Sequence, residues 1–88
     1  MSHKAHNWAW NQETKTPLTQ LLLSVIAELT HAEKEFSWAS HNYLADKCRC
    51  SRRSIISNLE YLEREKYITV ERRTNEGIKT TSIYRMNY

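Results

Sequence analysis

The chain of 88 residues has a single glycine (Gly77), a single proline (Pro17) and two cysteines, Cys48 and Cys50. No apolar run approaches the ~18 residues that a membrane-spanning helix needs. The opening M-S-H-K-A-H is polar and lacks the apolar core of a signal peptide, so the expected location is the cytoplasm. Two cysteines only two positions apart cannot close a useful covalent staple, and two thiols do not complete a zinc site. His3 and His6 lie some forty residues away in the sequence, so no metal is expected, and the cysteines read as small buried apolar residues. Nucleophile elbows, phosphate-binding glycine loops and paired-carboxylate patterns are also missing, and no histidine has a dyad partner at a recognisable spacing. Catalysis within this segment is not expected, and neither is a cofactor.

What is present is an ordinary soluble composition, 40% hydrophobic and 26% charged, with a net charge of +3. This length suits one small domain. The charge is unevenly placed. Residues 47–58 carry Lys47, Arg49, Arg52 and Arg53 with no acid, giving +4, whereas Glu28, Glu33, Lys34 and Glu35 give residues 28–35 a charge of −2. A concentrated basic block points to a polyanionic partner more firmly than net charge does.

In chain order, residues 1–15 hold Trp8 and Trp10. A stable domain rarely leaves two tryptophans in water, so this stretch is expected to be an arm packed on the body. Thr16 and Pro17 are suited to the N-cap and first position of a helix. Leu18, Leu21, Leu22, Val25, Ile26 and Leu29 follow at the spacing of one buried stripe. Leu23 falls off that stripe and needs a cover, either the tryptophan arm or another protein. Phe36-Ser37-Trp38 alternates like a short strand. Ser40 then caps a helix from His41 to about Cys48, with Leu44, Ala45 and Cys48 inward.

Arg49-Cys50 forms a turn, and Ser51 caps a longer helix over about residues 52–65. Its inward positions are Ile55, Leu59 and Leu62; Arg53, Ser57, Glu60 and Arg64 point away, with Arg52 and Ile56 flanking. Basic groups crowd the N-terminal half of this helix and Glu60, Glu63 and Glu65 the other half. That order opposes what the helix dipole favours, and a phosphate at the N-terminus would explain it. Tyr67–Arg73 alternates as a strand, Thr74–Gly77 reads as a turn, and Ile78–Met86 as a returning strand with Tyr84 and Met86 inward.

The pattern L-A-x-x-C-x-C-S-R-R-S-I-x-x-x-L-x-x-L-E-x-x-x-Y-I, from Leu44 to Ile68, resembles the winged helix-turn-helix consensus. With W-A-W-N-Q near the start and T-S-I-Y-R-M near the end, nearly the whole chain is similar to the N-terminal origin-binding domains of phage, plasmid and satellite replication initiators. The resemblance implies an α+β fold of three helices and a C-terminal β-hairpin wing over about 67–87, with a short third strand near Phe36–Trp38. The domain would cover residues 16–88.

Three positions depart from the consensus. Arg49 and Lys66 stand where glycine is usual, and a non-glycine residue in left-handed backbone costs on the order of 1 kcal/mol. Asn58 replaces a small apolar residue and should find a hydrogen bond.

The resemblance further implies double-stranded DNA as partner, with the helix after Ser51 in the major groove. Arg52 and Arg53 would read guanine O6 and N7, Ile56 would press on a thymine methyl, and Ser57 would touch a base edge or phosphate. Ser40, His41, Asn42 and Ser51 would meet backbone phosphates, and Arg49 in the turn is a further DNA-binding residue. Arg72, Arg73 and Lys79 on the wing would reach flanking backbone or the minor groove. Origin recognition on repeated sites is the leading function, by a monomer or weak dimer working with replication proteins or a fused effector domain in a bacterial cell, at the nucleoid. Transcriptional repression and a protein-binding use of the winged helix remain open.

Overall fold

A computed structural model describes residues 3–34, 36–72, 74–75, 78–79 and 82–88. The elements are helices α1 (His3–Trp10), α2 (Pro17–Leu29), α3 (His41–Cys48) and α4 (Arg52–Arg64) and strands β1 (Ser37–Trp38), β2 (Ile68–Glu71), β3 (Thr74–Asn75), β4 (Ile78–Lys79) and β5 (Ile83–Met86). Strands β1, β5 and β2 form one antiparallel sheet in that order, and β3 pairs with β4 as a separate ladder. This is an α+β winged helix-turn-helix architecture.

The starts of α2, α3 and α4 each have a local cause. Thr16 accepts a hydrogen bond from the Thr19 amide ahead of Pro17, Ser40 from that of Tyr43, and Ser51 from that of Ser54, so the three longer-range helices all begin on a hydroxyl cap. The ends of α3 and α4 share one device. The amides of Arg49 and Cys50 return to Asp46 and Ala45, and those of Lys66 and Tyr67 to Glu63 and Leu62. Both closures are Schellman motifs, which need a left-handed residue. Arg49 (φ 56°) and Lys66 (φ 64°) occupy those positions, as the missing glycines led one to expect.

The core gathers Leu22, Leu23, Ile26 and Ala27 of α2, Leu44, Ala45 and Cys48 of α3, Ile55, Leu59 and Leu62 of α4, and Ile68, Tyr84 and Met86 of the sheet. Burying one such aliphatic side chain contributes roughly 1.5–3 kcal/mol. In the sheet, Val70 and Ser37 both lie opposite Tyr84, and Ile68 lies opposite Met86. Directly opposed residues share a face, so these five look inward.

Four expectations need correcting. The N-terminal stretch contains a fourth helix, α1, whose wholly buried Ala5 and Ala9 let it lie close against α2. Trp8 is half-buried, edge-on to Tyr88 at 5.9 Å, but Trp10 is 72% exposed. On α2, Leu21 is 44% exposed although it belongs to the expected stripe, while Leu23 is fully buried and presents nothing to a partner. Thr74 and Asn75 belong to a strand and not to a turn, because they pair with Lys79 and Ile78. The Glu76-Gly77 part of that expected turn, Arg73, and the Lys79 side chain lie outside the described residues.

Candidate nucleic-acid interface

The hydroxyl of Ser51 accepts the Ser54 amide at 3.1 Å and donates to the Ser54 hydroxyl at 3.0 Å, which fixes the first turn of α4. That turn contains no acidic residue and presents Arg52 and Arg53 to solvent. Arg53, Ser57, Glu60 and Arg64 are all exposed along one side of α4, and Ile56 is half-buried beside them. On α3, Ser40 and Asn42 are exposed and His41 is half-buried.

Between the two helices lies an open hollow of about 510 Å³ lined by Asn42, Ala45, Asp46, Arg49, Cys50 and Arg52. Three residues expected to touch nucleic acid, Asn42, Arg49 and Arg52, therefore converge, with the left-handed Arg49 forming one wall. Asp46 was not among the expected contacts. Its position one helical turn after Asn42 would have placed it on the same side of α3. A carboxylate there can accept from a cytosine amino group and discourages a phosphate at that wall.

The imidazole of His41 titrates below the ordinary histidine value, first because it is partly buried and then because Arg52 is close. Cys48 is driven the other way: burial, reinforced by Cys50, pushes its thiol up to about 11 and makes it an unreactive core group.

Arg72 is not free at a wing tip. Its two terminal nitrogens donate to the two carboxylate oxygens of Glu63 at 3.0 and 3.1 Å, bracing the start of the wing against α4. The pair holds Glu63 below the usual carboxylate range. Asn58 also finds partners: its amide donates to the Ser54 carbonyl at 2.7 Å, and its oxygen accepts from the buried Thr19 hydroxyl. Thr19 in turn bonds the Thr16 cap at 2.8 Å, so a polar chain runs from the start of α2 to the first turns of α4.

The family of helix-turn-helix domains matches residues 13–68, which run from just before α2 to the first residue of β2. The chain belongs to that family. Neither a curated protein nor a solved structure shows significant similarity to it. The family and the α3-turn-α4 geometry agree on where the motif lies, and the helix-turn-helix domain is a DNA-binding scaffold. No helix among the described residues is long and apolar enough to cross a membrane.

Proposed function

We propose that this helix-turn-helix domain binds duplex DNA sequence-specifically, with the first two turns of α4 in the major groove, and that it serves origin recognition in a phage or other mobile element. The observation that carries the reading is the exposed Arg52-Arg53 pair at a capped helix start, beside a hollow that also collects Asn42 and Arg49. Arg52 and Arg53 read bases; Ser40, Asn42, Arg49 and Ser51 anchor phosphates; Ile56 and Ser57 add contacts along the groove. His41, half-buried, supports the backbone contact beside Ser40. Arg73 and Lys79 reach the flanking backbone, and Arg72 contributes by holding the wing to α4. The domain acts in the cytoplasm as a monomer or weak dimer, and any motor or nuclease activity belongs to a fused or separate partner.

A salt titration of duplex binding tests the first part. Neutralising about five phosphates gives a slope of log K against log salt of roughly −4 to −5. Absence of duplex binding at low salt would end the proposal. Selection from a random duplex pool tests the second part: direct repeats support an origin, and a palindrome supports a dimeric transcriptional regulator instead. The protein-docking alternative loses the support of Leu23, which is in the core, but keeps the exposed Trp10.

A further inference from the structure

The linker between α1 and α2 sends Lys15 over the ring of Tyr61, with its Nζ 4.4 Å from the centroid, and the guanidinium carbon of Arg64 sits 5.8 Å from the same centroid. Tyr61 is half-buried and packs on the core; its ring is 6.3 Å from that of Tyr67, whose hydroxyl donates to the Glu13 carbonyl at 3.1 Å. The platform under the two cations is therefore anchored to both α4 and the linker. Neither cation forms an ion pair among the described residues.

The negative π-charge of one ring attracts both cations. A DNA backbone passing this ring can set one phosphate against each cation. Arg64 shares the exposed side of α4 with Arg53 and Ser57. It stands eleven residues beyond Arg53, or about 16 Å along the helix axis. The acidic character of this half of α4 is also smaller than composition suggests, because Arg72 neutralises Glu63. Of the remaining acids, Glu60 lies one turn before Arg64 on the same exposed side without an ion pair to it among the described residues, and Glu65 falls after the last helical turn.

We propose that Lys15 and Arg64, held on Tyr61, form a second phosphodiester anchor that grips the DNA backbone on the flank of α4 away from the wing. The site rests on the DNA-binding reading above and extends it to residues that carry no base information. Holding the long Lys15 chain on a ring before binding reduces the freedom lost when it meets a phosphate.

The test is a salt series on the selected duplex and on a random duplex, with the intact chain, Lys15→Ala, Arg64→Ala, the double variant, and Lys15→Arg and Tyr61→Phe as controls. Each lost phosphate contact removes about 0.9 from the slope, so the double variant should be shallower by about 1.8 on both duplexes. The ratio of affinities for the two duplexes should stay unchanged, and both controls should keep the original slope. Ethylation interference should lose one cluster of backbone phosphates in the double variant. Adding millimolar inorganic phosphate should leave binding unaffected; competition at that level would mean a free-anion site and overturn the assignment to DNA. Circular dichroism and thermal melting confirm that the variants fold. If the unaltered chain binds with the expected slope and the double variant matches it, the anchor is refuted and the DNA-binding reading stands. If the unaltered chain binds no duplex, the underlying reading fails first.

Discussion

At the scale of single residues, Asn58 shows how one polar side chain joins two elements. Thr19 is fully buried, and its hydroxyl donates to the Asn58 oxygen. Asn58→Ala should leave that hydroxyl only its Thr16 partner and destabilise the domain by about 1 kcal/mol in urea unfolding. Adding Thr19→Val should recover part of the loss, because both polar ends are then gone. Strictly additive losses would mean that the two groups do not interact.

His41 supplies a pH signature at the same scale. Its folded titration lies below the ordinary value of 6.5, so below that pH the unfolded chain binds more protons. The contribution of His41 to stability is present above pH 6.5 and declines as pH falls through the folded value. His41→Gln should flatten that part of the stability profile, read from urea midpoints between pH 5 and about 7.5. On the DNA side, Arg53→Ala should weaken the preferred site by about 1–3 kcal/mol and relax preference there. Lys79→Ala should weaken every sequence alike. Identical behaviour of the two variants would remove the distinction between reading and anchoring.

Among the elements, the two left-handed helix ends are the clearest. Lys66→Gly removes the side-chain penalty at φ 64° and should raise stability by on the order of 1 kcal/mol, less the greater freedom glycine has when unfolded. Arg49→Gly should give a similar gain but lose duplex affinity, since Arg49 also lines the hollow. Denaturant midpoints and binding, measured on the same pair, separate the two effects.

These closures were legible from sequence because capping is local: Ser40, Ser51, Arg49 and Lys66 act within a few residues of themselves. Leu21, on the expected stripe but exposed, departs for the opposite reason. A single-stripe reading assumes one burying side, whereas α2 is flanked by α1 as well as by α3 and α4. Helix α1 is not legible in the sequence because eight residues are too few to be stable alone, and its alanine contacts depend on tertiary packing. The Arg52-Arg53 edge could be read from a cap and a charge run. The Lys15–Tyr61 and Arg72–Glu63 contacts could not, since they join residues that only the fold brings together.

For the whole molecule, α1 is a brace for the helical layer. Deleting residues 1–12 removes Ala5 and Ala9 from α2 and should uncover Leu23, lowering stability by about 2–3 kcal/mol. Chemical denaturation would show it as an earlier midpoint. An unchanged midpoint would mean that α2 needs no cover. The α3-turn-α4 unit keeps its own caps, so base preference should survive wherever the shortened chain still folds.

The fork between Arg72 and Glu63 has a consequence for the DNA itself. Only Glu65–Tyr67 separate α4 from β2, and the fork closes the angle between them. On the proposed reading, a domain built this way measures its target like a ruler. One base pair inserted between the segment under α4 and the segment under the wing turns the second by about 35° around the axis, given 10–10.5 base pairs per turn. On the proposed reading, the Arg72–Glu63 fork opposes that rotation at the base of the wing. Spacing between the two segments should therefore be as strictly selected as the bases themselves.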